Sequence, residues 1–216
     1  MNPRPPAAER LSLPGPAGAI DLISELPAHA PRGLALVAHP HPLYGGSAEN
    51  KVVQTLARTL RDLGHLVLRP NFRGVGASAG AHDEGIGETD DLLAVLAWAQ
   101  ARHGDLPVVL AGFSFGAYVQ ARVARRLAQA GTPARRLVLV GTAVGPVEGA
   151  RHYETGEVPA DTLLIHGDLD ETVPLASVLA WARPLELPVT VVPGADHFFH
   201  RKLHLIRNIV SAAWKP

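Results

Sequence analysis

The feature that most constrains the fold is the pentapeptide Gly112-Phe113-Ser114-Phe115-Gly116. An apolar run at residues 107–111 precedes it, and a helix-like segment at residues 117–124 follows it. A strand that turns into a helix within so few residues forces the central residue into a strained backbone conformation, and flanking glycines let the two elements approach closely. The pattern therefore predicts a sharp turn from which the hydroxyl of Ser114 projects. Taken alone, it also fits an ordinary glycine-rich turn with an exposed serine.

Length and composition place the chain among single-domain globular proteins. Its 216 residues are 47% hydrophobic and 19% charged, which is ordinary for a globular domain that buries a substantial core. The formal net charge is zero, so no basic field is available to attract nucleic acid or an anionic membrane. We expect neither of those partners. The sequence leaves the oligomeric state open between a monomer and a small homo-oligomer.

The ends of the chain and its cysteine content bear on its location. Residues 1–8 read as a flexible tail rich in proline and alanine, and residues 9–216 as one domain. The N-terminus lacks the apolar segment of a signal peptide, and no run approaches 18 apolar residues. Cysteine is absent, which excludes disulfides and thiolate metal sites and fits a reducing compartment. We therefore expect a cytoplasmic protein.

Strand and helix patterns alternate along most of the chain. Residues 10–13 and 19–23 alternate apolar and polar side chains around a Pro/Gly turn, which predicts an antiparallel hairpin. Further strands are predicted at residues 33–38, 65–69, 107–111, 136–141, 162–166 and 189–192, and helices at residues 50–63, 89–102, 117–124, 175–181 and 198–214. Residues 142–159 read as irregular and too short for a lid domain. The pattern predicts an α/β fold, with a mostly parallel sheet covered by helices on both faces.

Sites in such sheets form beyond the carboxyl ends of the strands. A serine hydroxyl needs a neighbouring base there, usually a histidine oriented by a carboxylate. The loop after the strand at residues 162–166 offers Asp168 and Asp170, and the loop after the last strand offers His197. A serine, an aspartate and a histidine thus follow three predicted strands, with two aspartates as candidates for the acid.

Several motifs together resemble the α/β-hydrolase family over about residues 33–200. They are the Gly-x-Ser-x-Gly turn, HGDLDETVP, GADHFF, HPHPLYGG and NFRGVGAS. The chain is similar to small bacterial hydrolases related to dienelactone hydrolases. The resemblance implies that Ser114 is the nucleophile and His197 the base. It also implies that Asp170, the aspartate before x-x-Val-Pro, is the acid, whereas Asp168 lies nearer the strand end and holds the loop.

An acyl-transfer reaction also needs two N–H groups that bind the developing oxyanion. The amide of Phe115, directly after the serine, is one candidate. In the turn after the strand at residues 33–38, the prolines carry no N–H, so His41 is the first candidate for the second donor, with Leu43 and Tyr44 behind it. We also expect Tyr44 and Phe198 to contact the substrate.

Two other motifs suggest different chemistry. The pair His39-x-His41 has a metal-ligand spacing, but no cysteine or obvious acidic third ligand lies near it, and we expect no metal. The glycine-rich residues 74–80 follow a strand, but no helix opens there at once, as a dinucleotide site requires. We expect a tight turn anchored by Arg73 instead.

These observations predict a serine hydrolase that cleaves small carboxylic esters through an acyl-enzyme and needs no cofactor. A lactone, thioester or amide hydrolase with the same triad is an alternative, as is a non-catalytic binding module on a hydrolase scaffold. Seven of the other histidines fall into two groups. Surface or packing roles are expected for His65, His103, His152, His200 and His204, and no role is assigned to His29 and His82.

Overall fold

An eight-stranded mixed sheet forms the centre of the computed structural model, which describes residues 5–149 and 151–214. The strand order is β1-β2-β4-β3-β5-β6-β9-β10, and a separate two-stranded sheet consists of β7 and β8. The strands are β1 (Glu9–Gly15), β2 (Gly18–Glu25), β3 (Gly33–Ala38), β4 (His65–Pro70), β5 (Val108–Phe113), β6 (Arg136–Val140), β7 (Gly145–Val147), β8 (Arg151–Tyr153), β9 (Leu163–Gly167) and β10 (Val189–Val192). Strands β4, β3, β5, β6, β9 and β10 pair in parallel. The predicted α/β architecture is confirmed.

Five helices cover the two faces of the large sheet. They are α1 (Lys51–Asp62), α2 (Ile86–His103), α3 (Phe115–Gln129), α4 (Leu175–Ala182) and α5 (Leu203–Ala213). Successive strand side chains point to opposite faces. In β3, Leu34 and Leu36 enter the core under α2 and α3, whereas Ala35 and Val37 enter the core under α1 and α5. Because both faces are buried, these strands read as continuous apolar runs.

The predicted N-terminal hairpin is confirmed. Strand β1 pairs with β2 in antiparallel register from Glu9↔Ser24 to Gly15↔Gly18, and β2 pairs with β4 in the same sense. Of the predicted tail, residues 1–4 lie outside the described residues, and residues 5–8 have no regular secondary structure. None of the helices in the described ranges is long and apolar enough to cross a membrane.

Helix α1 has the ends that the sequence predicts. The side-chain oxygen of Asn50 accepts hydrogen bonds from the amides of Val52 (2.9 Å) and Val53 (3.4 Å). This satisfies two of the amides that a helix start leaves without partners. Gly64 follows the helix with a φ of 91°, a conformation that favours glycine.

The predicted start of α2 was wrong because a buried side chain caps the helix. We expected the helix from residue 89, but it begins at Ile86. The carboxylate of Glu88 accepts hydrogen bonds from the amides of Gly85 (2.8 Å) and Asp83 (2.9 Å). These bonds hold the first turn although its sequence lacks a polar residue at the cap.

Other boundaries also differ from the prediction. Strand β5 runs on to Phe113, which pairs with Val140 of β6. Helix α3 starts at residue 115 and continues to residue 129. The last helix starts at Leu203 instead of residue 198, because Phe199 and Arg201 adopt φ values of 52° and 61°. Those values are incompatible with a right-handed helix.

The prediction that residues 142–159 are irregular was wrong in part. Strands β7 and β8 form a short antiparallel hairpin there, with Gly145 opposite Tyr153 and Val147 opposite Arg151. Val147 belongs to one apolar cluster with Val173 and Val178, so the hairpin packs against α4. Between β6 and β9 the described residues contain no helix. The expected absence of a lid domain agrees with this arrangement.

Candidate active site

The turn at Ser114 has the sharp geometry that the pentapeptide predicts. Ser114 lies between β5 and α3 with φ 57° and ψ −120°, a strained conformation for a residue with a side chain. A Cβ atom on Gly112 would overlap the backbone of Gly116, and one on Gly116 would overlap the carbonyl of His39. Glycine at both positions is therefore what lets the strand and the helix meet here.

The structure brings Ser114, His197 and Asp170 together. The Nε2 atom of His197 lies 3.0 Å from the Oγ atom of Ser114, and its Nδ1 atom lies 2.7 Å from Oδ2 of Asp170. All three residues are buried. With Nδ1 donating to the carboxylate, Nε2 is free to accept the hydroxyl proton of Ser114. The arrangement can therefore activate the serine as a nucleophile.

The two candidate aspartates occupy different positions. Asp170 accepts a second hydrogen bond from the amide of Val173 (2.7 Å), which fixes its orientation towards His197. Asp168 is exposed and accepts a hydrogen bond from the amide of Gly194 instead. Of the two carboxylates, Asp170 is thus the one that reaches the imidazole of His197.

His166 is a neighbour of this carboxylate that the sequence analysis missed. Its Nε2 atom lies 2.9 Å from the carbonyl of Val173 and 3.5 Å from Oδ2 of Asp170. Burial lowers the pKa of His166, so the ring is neutral near pH 7, with the Nε2 proton directed at Val173. The available signal was a polar residue at the end of an apolar run, directly before the Gly-Asp pair.

The predicted oxyanion donors, Phe115 and His41, both lie near the nucleophile: Phe115 follows Ser114 directly, and His41 lines the same cleft. Phe115 occupies the first position of α3, where the amide has no partner within the helix. His41 precedes a 3-10 turn at Pro42–Tyr44. The amide of Leu43 donates to the Nδ1 atom of His41 (3.2 Å), and the amide of Tyr44 donates to the carbonyl of His41 (3.2 Å). Among the three predicted second donors, the turn itself therefore leaves only the His41 amide unused.

His82, to which the sequence assigned no role, packs against both of these residues. Its ring centroid lies 4.5 Å from that of His41 and 5.2 Å from that of Phe115. Its Nδ1 atom is 3.0 Å from the carboxylate of Glu88, the residue that caps α2. Burial, together with the charges of His82 and Arg151, lowers the pKa of His41 to about 4. His41 is therefore neutral near pH 7, and its Nδ1 atom can accept the Leu43 amide.

His39 is a structural residue and does not face the cleft as a metal ligand would. Its Nε2 atom accepts a hydrogen bond from the amide of Phe72 (2.8 Å), and its Nδ1 atom donates to the carbonyl of Pro40 (2.6 Å). Both ring nitrogens are thus engaged with the backbone. In the part of the chain that the structure describes, no three His, Cys, Asp or Glu side chains cluster as metal ligands would.

The glycine-rich turn after β4 is anchored as expected. Arg73 forms two hydrogen bonds with the carboxylate of Asp91 in α2, at 2.8 and 2.9 Å. Helix α2 begins only at Ile86, well after the turn. The turn is therefore bound to the side of a helix. In a dinucleotide site, by contrast, the glycine-rich loop leads directly into the start of a helix.

A cleft of about 230 Å³ opens above Ser114 and His197. The predicted contact residues Tyr44 and Phe198 line it, with 65% and 47% of their surfaces exposed. Four further lining residues were not predicted from the sequence: Asn50, Glu148, Arg151 and Thr172. Glu148 and Arg151 come from the β7–β8 hairpin, whose residues carry no motif that marks them in the sequence.

A family model described as the alpha/beta hydrolase fold matches residues 40–156, more than half of the chain. The protein belongs to this family. At the level of whole structures it is similar to XC6422 from Xanthomonas campestris, described as an α/β serine hydrolase without a lid. The two share 40% sequence identity and a TM-score of 0.85, over 98% of this chain and 95% of that one.

In sequence, the chain is similar to two further proteins. An uncharacterized protein of Rickettsia prowazekii, RP471, is 33% identical over 177 residues, which cover 78% of this chain and 73% of the relative. The lysophosphatidylserine lipase ABHD12 of Gallus gallus is 38% identical over 98 residues, which cover 45% of this chain but only 26% of the lipase. The chain thus spans about a quarter of that lipase. The narrower relation to dienelactone hydrolases stays a prediction.

Proposed function

We propose that the protein is a serine hydrolase that cleaves small carboxylic esters through an acyl-enzyme. The observation that carries this proposal is the continuous chain of hydrogen bonds from Ser114 through His197 to Asp170. The position of Ser114 also supports the proposal, because the serine occupies a strained turn and lines an open cleft. A binding module would have no need of these three groups in this alignment.

The reaction follows from the atoms that face one another. The Oγ atom of Ser114 attacks the acyl carbon while Nε2 of His197 takes the hydroxyl proton. Asp170 stabilises the imidazolium that results, and the amides of Phe115 and His41 bind the negative oxygen. His197 then gives the proton to the departing alcohol. A water molecule, deprotonated by the same nitrogen, releases the acyl group and restores Ser114.

The size of the cleft supports small substrates. A volume of about 230 Å³ lies below the range of roughly 300–1,000 Å³ typical of sites for drug-sized ligands. Tyr44 and Phe198 form the apolar part of its rim and would contact the acyl or alcohol group. Lactones, thioesters and amides present the same carbonyl chemistry, so a substrate panel must include all four classes.

Labelling by a fluorophosphonate, which reacts with activated serines, tests the nucleophile. We expect one label per chain in the wild type, and Ser114→Ala should lose both the label and ester turnover. Ser211→Ala, on the far helix α5, is the matched control and should keep both. A label or turnover that survives in Ser114→Ala would show that another residue is the nucleophile. The panel of ester, thioester, lactone and amide then ranks the bond type by kcat/KM.

A further inference from the structure

Arg151 places a positive charge in the cleft that contains Ser114 and His197. It is the first residue of β8, on the short β7–β8 hairpin. We propose that its guanidinium binds a free carboxylate on the substrate, so that the enzyme prefers esters carrying a second, unesterified carboxyl group. This inference rests on the proposed ester hydrolase activity and narrows its substrate class.

The guanidinium is held in a fixed orientation before any substrate arrives. Its Nε and Nη2 atoms donate to the backbone carbonyl of Glu148, at 3.1 and 2.8 Å. Its Cζ atom lies 4.2 Å from the ring centroid of Tyr44, a cation–π contact. These contacts use the side edge of the guanidinium. The hydroxyl of Tyr153 is a further neighbour of the guanidinium. The terminal edge, with Nη1 and the second Nη2 hydrogen, has the spacing that binds a carboxylate through two parallel hydrogen bonds.

The charge of Arg151 is not neutralised by a neighbouring carboxylate. Arg69 pairs with Glu25 at 2.7 Å and Arg73 pairs with Asp91 at 2.8 Å. Among the residues that the structure describes, Arg151 has no such partner within 4 Å. Its charge is felt in the site, where it contributes after burial and His82 to the lowered pKa of His41. An arginine that served only to hold the hairpin would not need to line the same cleft as the nucleophile.

Glu148, the acidic residue that lines the cleft, bonds through its carboxylate to another lining residue, Thr172, and not to Arg151. Glu148 holds Arg151 through its carbonyl, whereas its carboxylate lies 3.3 Å from the hydroxyl of Thr172. Within the described part of the chain, Glu148 and Arg151 form no ion pair. We therefore place the substrate carboxylate on the Tyr44 side of the cleft, beside the guanidinium and away from the carboxylate of Glu148.

Pairs of esters of similar shape, of which one member carries a carboxylate, test this inference. For the acyl side, the 4-nitrophenyl monoester of glutaric acid is compared with 4-nitrophenyl 5-methylhexanoate, in which an isopropyl group replaces the carboxylate. For the alcohol side, 4-acetoxybenzoate is compared with 4-isopropylphenyl acetate. In one pair at least, wild-type kcat/KM should be higher for the carboxylate ester. The pair that shows the preference identifies the side of the scissile bond that faces Arg151.

The variant Arg151→Gln should lower kcat/KM for the preferred carboxylate ester roughly tenfold, as expected for the loss of a charge-assisted hydrogen bond. The isosteric neutral ester should change less than twofold. Arg151→Lys keeps the charge without the planar fork and should recover part of the loss. Arg207→Gln removes the same charge on α5, away from the cleft, and should leave both esters unchanged.

A second measurement needs no variant. The proposed contact joins two charges at a partly open cleft, so salt should screen it. We expect the wild-type preference for the carboxylate ester to weaken as the salt concentration is raised from 0.01 to about 1 M. Over that range the screening length falls from roughly 30 to 3 Å.

Equal rates for both members of each pair, or equal losses on both in Arg151→Gln, would overturn the carboxylate site. If Ser114 turns over the neutral esters without any charge preference, only this inference fails. If no ester is hydrolysed through Ser114, the proposed function itself fails.

Discussion

The amide of Gly194 donates a hydrogen bond of 2.5 Å to the carboxylate of Asp168. This bond ties the loop after β9, which carries Asp170, to the loop after β10, which carries His197. The two loops are joined a second time where Asp170 meets the imidazole at 2.7 Å. Two aspartates two positions apart thus make two different connections between the same loops, and their substitution should have different consequences.

Asp170→Asn should abolish most of the catalysis while leaving the fold intact. The amide can still accept the hydrogen bond from Val173, but its NH₂ group favours the wrong tautomer of His197. In the well-studied serine protease triad this change costs roughly 10⁴ in kcat, and we expect a loss of that order. Steady-state kinetics on a short-chain ester, with circular dichroism as a check on folding, measures it.

Asp168→Asn is the matched control for that variant. Its side-chain oxygen can still accept from Gly194, and it removes one exposed charge that does not touch His197. We expect kcat within a few-fold of the wild type and a free energy of unfolding lower by at most about 1 kcal/mol. The reverse pattern, with Asp168→Asn inactive and Asp170→Asn nearly normal, would reassign the acid.

The positions of the candidate triad could be predicted because they depend on topology. Parallel strands bring their carboxyl ends to one edge of the sheet, so residues that follow β5, β9 and β10 had to lie near one another. The apolar runs that form these strands are visible directly in the sequence. The assignment of Asp170 over Asp168 required the family resemblance, because both residues fit the same loop.

The surroundings of the site could not be predicted because they depend on contacts between distant segments. Arg151 is held in the cleft partly by stacking on Tyr44, which belongs to the distant turn after β3. The start of α2 depends on the buried carboxylate of Glu88 and its neighbour His82. The β7–β8 hairpin has three residues per strand, too few for an alternating pattern to stand out.

Short acyl chains should be preferred over long ones. The described part of the chain between β6 and β9 contains only the small hairpin, so little apolar wall is available to cover a long chain. Each methylene left in water forgoes roughly 0.8 kcal/mol of binding. We expect higher kcat/KM for p-nitrophenyl acetate or butyrate than for the palmitate, measured below the concentration at which palmitate esters aggregate. A clear preference for palmitate would contradict the small-substrate proposal.

His39 should make the protein less stable as the pH falls. Its ring is fully buried, and burial lowers its pKa from 6.5 to about 4. A neutral ring also suits its partners, since Nε2 must accept from the Phe72 amide while Nδ1 donates to Pro40. Protonation would place a second hydrogen against the Phe72 amide and break that bond, which joins the turn after β3 to the loop after β4.

The direction of the effect follows from proton binding. Between pH 6.5 and about 4 the unfolded chain binds a proton at His39 and the folded chain does not, so the free energy of unfolding falls as the pH is lowered through this range. The size of the pKa change corresponds to roughly 3 kcal/mol for this residue.

Urea denaturation at several pH values should show the loss in the wild type. In His39→Gln, which cannot titrate, the slope between pH 6.5 and 4 should be smaller, although the variant starts from a lower stability. His103→Gln, at an exposed position, is the matched control. Equal slopes in the wild type and His39→Gln would show that His39 does not contribute to the acid sensitivity of the fold.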